Sequence, residues 1–251
     1  MTEVQKISKR QILKIIDTNP VLNMRFYSMI FDPDESTTLN PLYFKYNTAI
    51  MVLSWGIGIF TRHLEDVIPL IQLIPKNRNF FLNGIEERIL PLLQETFDNL
   101  IINDICHPWT FEGSFIIQET LESLTADDAE FINSIWPYRD ENSIQFIERC
   151  VELLPSSVIR DNQTPIAWSF SYSQSPYHIN MGNLYVQPEH RRKGFGRRIT
   201  IDLVNKVNKE DKKPLVHVHI DNEASIRLLK QLNFLKHPEK IIFGDIMNIE
   251  D

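Results

Sequence analysis

Apolar positions recur along this chain with two periods, and each change of period marks an element. Ile7, Ile12, Leu13 and Ile15 alternate with Lys6, Lys9, Arg10 and Lys14, which predicts an amphipathic helix over residues 5–17. Residues 25–31 and 44–55 are rich in aromatic and β-branched side chains and read as strands, as do residues 80–82. A helix is expected over 85–100, whereas the acids, Pro33 and hydroxyls of residues 32–38 read as a loop. An irregular stretch is expected around His107, Pro108 and Gly113.

The second half is better punctuated. Residues 124–136 read as a helix with Thr125 as N-cap and Asp127 and Asp128 in its first turn. A helix over 142–153 must stop before Pro155, which cannot continue it. Strands over 157–160 and 165–172 flank the turn Asp161-Asn162-Gln163, and a third covers 179–186, ending ahead of Pro188. A helix over 194–208, a strand over 215–220, a helix over 224–231 and a strand over 240–249 close the chain. This order predicts an α/β fold with a mixed sheet. With no internal repeat visible, the change of pattern sets a domain boundary near residue 120, giving domains of residues 1–120 and 121–251.

With 43% hydrophobic residues the chain can fill real cores, and its formal charge of −7 argues against a nucleic-acid partner held by net charge. Cys106 and Cys150 are too few for a disulfide framework, and no Cys/His spacing suggests a metal. No apolar run is long enough to cross a bilayer, so no membrane partner is expected. The expected compartment is the cytoplasm. The basic start could be read as a mitochondrial address, against which Glu3 and Asp17 count.

One segment carries the chemistry. The strand ending Leu184-Tyr185-Val186 runs through Pro188-Glu189-His190 into Arg191-Arg192-Lys193-Gly194-Phe195-Gly196-Arg197, where a helix starts. Glycines let main chain approach a phosphate, and the free N–H groups of a first helical turn favour an anion. No Lys-Ser/Thr follows the glycines, so this is not a P-loop, and the third glycine of a dinucleotide turn is missing.

A strand followed by R-x-x-G-x-G resembles the signature of the GNAT acyltransferases. Asn222-Glu223-Ala224-Ser225, with Leu228, Leu229 and Phe234 after it, resembles that family's N-x-x-(A/S)-x-x-L-(Y)-x-x-x-(G)-F segment. Across 131–225, Ile132-Asn133, Trp136, Phe146-Ile147-Glu148-Arg149-Cys150, Thr164-Pro165-Ile166-Ala167-Trp168, Pro188-Glu189-His190-Arg191 and Asn222-Glu223-Ala224 look like the glycine N-acyltransferase family. The resemblance implies acetyl-CoA or another acyl-CoA as co-substrate, with its pyrophosphate on residues 191–197. It also implies that Asn222 and Ser225 bond the pantetheine arm, and that a main-chain N–H near Leu184 to Val186 meets the oxyanion. From the family come two further expectations: two GNAT-like halves, of which the first has degenerated, and a mitochondrial alternative for the compartment.

Acyl transfer to an amine also needs a proton acceptor. Met181, Gly182 and Asn183 stand where many GNAT enzymes carry a carboxylate, and Leu229 stands where they carry an acid tyrosine. With period-two alternation His217, His219 and Asp221 share a strand face. The glycine N-acyltransferases have an acidic base near the end of that strand, so Asp221 is the first candidate and His219 the second, since histidine titrates near neutrality. His178 and Tyr185 rank below them, and a metal triad of His217, His219 and Asp221 lacks a further ligand. The expected activity is acyl transfer from acyl-CoA to glycine or another small amine by direct attack. Peptide N-acetylation and an inactive acyl-CoA sensor are the alternatives.

Overall fold

The computed structural model describes residues 5–6, 16, 19–31, 42–45, 48–52, 56–116, 119–137 and 139–247. By their contacts the residues divide into two units, 1–108 with 218–221 and 236–251, and 109–217 with 222–235. The first includes β1 (Gln5–Lys6), α1 (Met24–Phe31), β2 (Leu42–Lys45), β3 (Thr48–Val52), β4 (Gly56–Thr61), α2 (Ile68–Ile71), β5 (Phe80–Glu86), α3 (Leu90–Thr96) and most of β6 (Leu100–Thr110). The second includes α4 (Ala129–Ile135), α5 (Ser143–Leu153), β7 (Ser156–Asp161), β8 (Thr164–Gln174), β9 (His178–Val186), α6 (Phe195–Lys209), most of β10 (Lys213–His219) and α7 (Glu223–Gln231). After the short β11 (Leu235–Lys236), β12 (Ile241–Ile246) belongs to the first unit. The chain is α/β with parallel and antiparallel pairing, as its pattern predicts.

In the first unit the strand order is β1-β2-β3-β4-β5-β12-β6. Its core gathers Ile50, Ile57, Leu70, Leu82, Leu93 and Ile242. Several expectations need correcting. Residues 25–31 form α1, not a strand: Met24, Phe26, Tyr27, Met29 and Ile30 are all buried, and the Tyr27 N–H donates to the Asn23 carbonyl at 2.9 Å. Its aromatic content suggests extended chain, but tertiary burial on β4 and β5 overrides propensity. The run 44–55 is split between β2 and β3, which pair antiparallel with Phe44 opposite Ala49. Strand β4 is not among the predicted elements, because Gly56 and Gly58 lower its strand signal, yet all six of its residues are buried.

The helix expected over 85–100 begins late. Residues up to Glu86 extend β5, a 3-10 turn Glu87–Ile89 leads into α3, and β6 starts at Leu100. His107 and Pro108 lie within β6 rather than in irregular chain. Pro108 stands beyond the last β12 pair, at Cys106, and its carbonyl accepts from His237 N–H at 2.9 Å. Of the expected first helix, Gln5–Lys6 pair instead with Tyr43 and Phe44 as β1, and most of the rest lies outside the described residues. The expected loop 32–38 lies outside them too.

The second unit follows its pattern closely. Strands β10-β9-β8-β7 lie in that order, β9 antiparallel to β8 and parallel to β10. Asn162 (φ 46°) and Gln163 (φ 76°) make the β7–β8 turn with the paired left-handed conformers that suit strand twist. Thr125 forms a capping box with Asp128 across the 3-10 turn Ala126–Asp128 that opens α4. Buried Ile147, Cys150 and Val151 give α5 its inner face, packed with Leu124, Ile132, Trp168 and Phe170. Arg160 grips Asp128 through two bonds, Nη1 to Oδ1 at 2.7 Å and Nη2 to Oδ2 at 2.8 Å. Burial raises the Asp128 pKa, but the Arg160 and Thr125 bonds outweigh it and hold the carboxyl below its ordinary value.

Helix α6 buries Ile199, Leu203, Val204 and Val207 at helical spacing. It also buries Asp202, which accepts from Ser157 Oγ at 2.6 Å and Leu121 N–H at 3.1 Å and pairs with Lys206 at 3.0 Å. Lys206 donates in turn to the carbonyls of Leu121 and Ser156, at 2.9 and 2.7 Å, so the helix is pinned to the segment ahead of it and to β7.

Candidate functional site

The geometry of the second unit turns on where β9 and β10 stop pairing. Their parallel ladder runs from His178 opposite Lys213 to Met181 opposite Val216 and ends there. From Gly182 to Val186, β9 keeps pairing only with β8. Its far edge then carries main-chain N–H and C=O groups with no ladder partner, which is where polar groups can serve a ligand. Asn183 (φ 52°) adds an extra residue within this stretch, since Gly182 pairs with Phe170 and Tyr185 with Trp168. Such a bulge re-aims the strand. The residue pattern alone does not predict it, although asparagine is among the few residues that adopt this conformer readily.

Beyond β9, Gln187 is anchored to β8, its N–H donating to the Ile166 carbonyl at 2.9 Å. A 3-10 turn Pro188–His190 comes next, Arg192 is left-handed (φ 60°), and Gly194 (φ 83°) is the N-cap of α6. A Cβ on Gly194 would touch nothing within 4 Å, so glycine is required there by its backbone conformation. At Gly196 an ideal Cβ would lie 3.8 Å from Leu184 Cδ2 and 3.9 Å from Val186 Cγ2 and Leu228 Cδ2, ordinary contacts. The protein itself would thus accept alanine at 196, and the absence of a side chain leaves room for something external. That position also shows the end of β9, the start of α6 and the face of α7 converging.

No side chain caps α6, and its first internal bond, Arg198 N–H to Gly194 carbonyl, spans 3.1 Å. The amides ahead of it point outward at the positive end of a fifteen-residue helix. The surrounding cations divide by duty. Arg198 pairs with Glu119 at 2.5 Å, and Arg191 Nε donates to the Val186 carbonyl at 3.1 Å. Arg192, Lys193 and Arg197 are exposed and have no acidic partner among the described residues. Exposed amides and uncommitted cations at one helix start make a site for a di-anion.

Asn222 caps α7, its Oδ1 accepting from Ser225 N–H at 3.1 Å. The same geometry leaves the Asn222 amide nitrogen and the Ser225 hydroxyl for other partners. Tyr185 stacks on Trp168 with centroids 4.7 Å apart and packs against the α4–α5 core. Leu229 is buried at 3% exposure. Asn233 (φ 59°) occupies the glycine position of the family pattern in the left-handed conformer that position needs, and Phe234 N–H returns to the Leu229 carbonyl at 3.0 Å.

The two proton-carrier candidates fall in the first unit. His219 Nδ1 accepts the Asp221 N–H at 3.2 Å, and its Nε2 stands 3.7 Å from Asp104 Oδ1. Asp221 is exposed, and its carboxylate engages no donor among the described residues. His217 belongs to the second unit and pairs its Nδ1 with Asn180 Nδ2 at 3.1 Å. His178 is buried. Among the described residues no group of three or more His, Cys, Asp or Glu is placed to hold a metal, and no helix is long and apolar enough to cross a membrane.

Known proteins bear on this arrangement. Residues 159–242 match the family described as FR47-like protein, a stretch that runs from β7 into β12. A Drosophila protein of solved structure is similar over 98% of this chain and 99% of its own, with a TM-score of 0.73 and 16% identity. An acetyltransferase of the GNAT family from Colwellia psychrerythraea covers 97% of this chain and 99% of its own, with a TM-score of 0.59 and 11% identity. A GCN5-related N-acetyltransferase from Kribbella flavida covers 79% and 86%, with a TM-score of 0.56 and 15% identity. At these identities the similarity establishes the fold, and the fold is that of the GNAT acetyltransferases.

Proposed function

We propose that this protein is an acyl-CoA-dependent N-acyltransferase that acylates glycine or another small amine. The observation that carries the reading is the α6 start, where an uncapped helix opened by left-handed Gly194 presents free amides beside Arg192, Lys193 and Arg197. The pyrophosphate of acyl-CoA would rest on residues 191–197, and the unpaired edge of β9 from Leu184 to Val186 would offer an N–H to the thioester oxygen. Asn222 and Ser225 would bond the pantetheine amides. We take the chain to be related to the glycine N-acyltransferase family and the first unit to be a GNAT-like half without its anion turn. Cys106 and Cys150 are buried and form no disulfide, which suits the reducing cytoplasm to which we assign the protein.

In the reaction the amine nitrogen bonds to the thioester carbon, the tetrahedral intermediate collapses, and the C–S bond breaks to release CoA as its thiolate, which takes a proton from water. The amine's proton goes to Asp221, one residue ahead of the Asn222 cap along the chain, with His219 as the second candidate. The open carboxylate of Asp221 supports this order, because His219 already spends Nδ1 on a main-chain N–H. Burial of Leu229, where a tyrosine acid would otherwise stand, favours one rival reading: a module that binds acyl-CoA without turnover.

Thiol release measured with acyl-CoAs of several lengths and a panel of amines and peptides separates the readings. Turnover with small amines supports the enzyme, turnover with peptides alone redirects it to peptide N-acetylation, and tight acyl-CoA binding without release leaves the sensor. Asp221→Asn and His219→Gln, assayed separately, test the proton acceptor. If neither slows release, the assignment fails.

A further inference from the structure

The parting of β9 from β10 has a floor and a wall. The last pair of the ladder is Met181 with Val216, and exposure changes at the same level: Ile179, Asn180 and Met181 are buried, whereas Gly182 to Val186 are half-buried. Beside that level Asn180 Nδ2 donates to His217 Nδ1 at 3.1 Å, a side-chain bond that ties the two strands together where their main-chain bonds give out. Asn180 is fully buried, and its Oδ1 has no hydrogen-bond partner among the described residues, so the floor is polar. At the next level the Gly182 carbonyl accepts from Ser169 Oγ at 2.5 Å, which holds that part of β9 to β8. The wall is aromatic. An ideal Cβ on Gly182 would stand 2.7 Å from Tyr172 Cε1 and 3.2 Å from Cδ1, so the Tyr172 ring fills the place of a side chain at 182. Asn180, two residues earlier on the strand, leaves from the same face. Tyr172 packs against the α4–α5 core, and the ring cannot swing aside without disturbing that packing.

The direction in which an acyl-CoA would lie follows from its two anchors. With the pyrophosphate on residues 191–197 and the thioester oxygen on an N–H between Leu184 and Val186, the cofactor runs down β9 against the chain direction. The acyl carbons lie beyond the sulphur, so they continue toward Gly182 and the floor. Leu184 stands two residues above Gly182, at most about 7 Å of strand, which is room for an acyl group of about two to four carbons. A longer chain meets the Tyr172 ring and then the Asn180–His217 bond. Forcing methylenes past a packed ring costs energy, and setting them against an unmatched amide oxygen recovers little of it.

Resting on the acyltransferase reading, we propose that the gap between β9 and β10 selects short acyl groups, with the Tyr172 ring and the Asn180–His217 bond setting the length. The probes are CoA, acetyl-CoA and octanoyl-CoA, titrated calorimetrically into the full-length protein, with thiol release followed for the two thioesters over the amine panel. Octanoyl-CoA should show a kcat/KM about 10-fold or more below that of acetyl-CoA. Tyr172→Ala should raise the ratio of octanoyl to acetyl turnover about 10-fold, whereas a general loss of folding or cofactor binding would lower both rates and leave the ratio where it was. If the thioesters bind without turnover, the same ratios are read from their dissociation constants. Equal use of the two thioesters by the wild type, or a ratio that Tyr172→Ala does not move, overturns the proposal and leaves the acyltransferase reading standing. A protein that binds none of the three, CoA included, removes that reading and this inference with it. Should Tyr172→Ala fail to fold on thermal melting, Tyr172→Leu takes its place, and the wild-type ratio decides alone if neither folds.

Discussion

In both units three antiparallel strands lead to a fourth laid parallel to the third, and in both that parallel ladder stops early: at Ile57 and Leu82 in the first, at Met181 and Val216 in the second. The two units differ in the connection that leaves the third strand. In the second unit the chain passes through Arg191–Lys193 to a left-handed glycine and a fifteen-residue helix. In the first it turns at Arg62-His63 into a 3-10 turn and a four-residue helix. Two amides around that turn are bonded, His63 N–H to Thr61 Oγ1 at 3.2 Å and Asp66 N–H to the His63 carbonyl at 3.1 Å, and no glycine opens it. Parted strands are therefore a shared frame, and the anion site is a local addition to one of them: glycine, free amides and a helix long enough to sum its dipoles.

This contrast can be broken at four places. Gly84 marks the β5 bulge with φ 66°, and a Cβ there would lie 2.4 Å from Arg25 Cγ. Gly84→Ala should cost about 3 kcal/mol in chemical denaturation, from strain and displacement together, and leave acyl-CoA affinity intact. Gly196→Ala should do the reverse, lowering acyl-CoA affinity about 30-fold, near 2 kcal/mol, with an unchanged melting temperature. If it destabilises without weakening binding, the glycine serves packing and the contrast is lost.

The third test is Asp128→Asn, which breaks the Arg160 pair in the second unit and should cost about 2 kcal/mol at pH 7. Because the folded pKa of Asp128 lies below its unfolded value, its contribution is present above the unfolded pKa and disappears as pH falls through the folded one. The difference between wild type and variant should therefore close in acid, and a gap constant down to the lowest pH would refute the assignment. The smallest effect concerns Cys106. Burial first, and the neighbouring Asp104 second, push its thiol up to about 12. Alkylation at pH 8 should leave Cys106 unmodified in the native protein, and mass spectrometry would read any exception directly.

The second unit is legible in the sequence because its punctuation is strong. Thr125, Pro155, Asn162, Pro188 and Gly194 each fix a boundary by a backbone preference that composition reveals. Less can be read in the first unit, where Met24–Phe31 carries strand-forming residues into a helix and two glycines disguise β4. The anion turn is also visible as residue types. Two parts of the candidate site are not. A ladder's end is a matter of register, and no residue announces that Val216 is the last to pair. The partner of His219 is Asp104, far away along the chain, and strand alternation predicts a shared face without saying what meets it.

One feature of the first unit reaches back to its birth on the ribosome. Strand β12 sits between β5 and β6, bonded to both, yet is translated only after the whole second unit. Until it emerges, the edges of β5 and β6 that flank it lack their partner, whereas the second unit is fully synthesised by Leu235. Maturation therefore runs against the direction of translation, and a nascent chain stalled before Ile241 should expose β5 to proteases while the second unit already resists them.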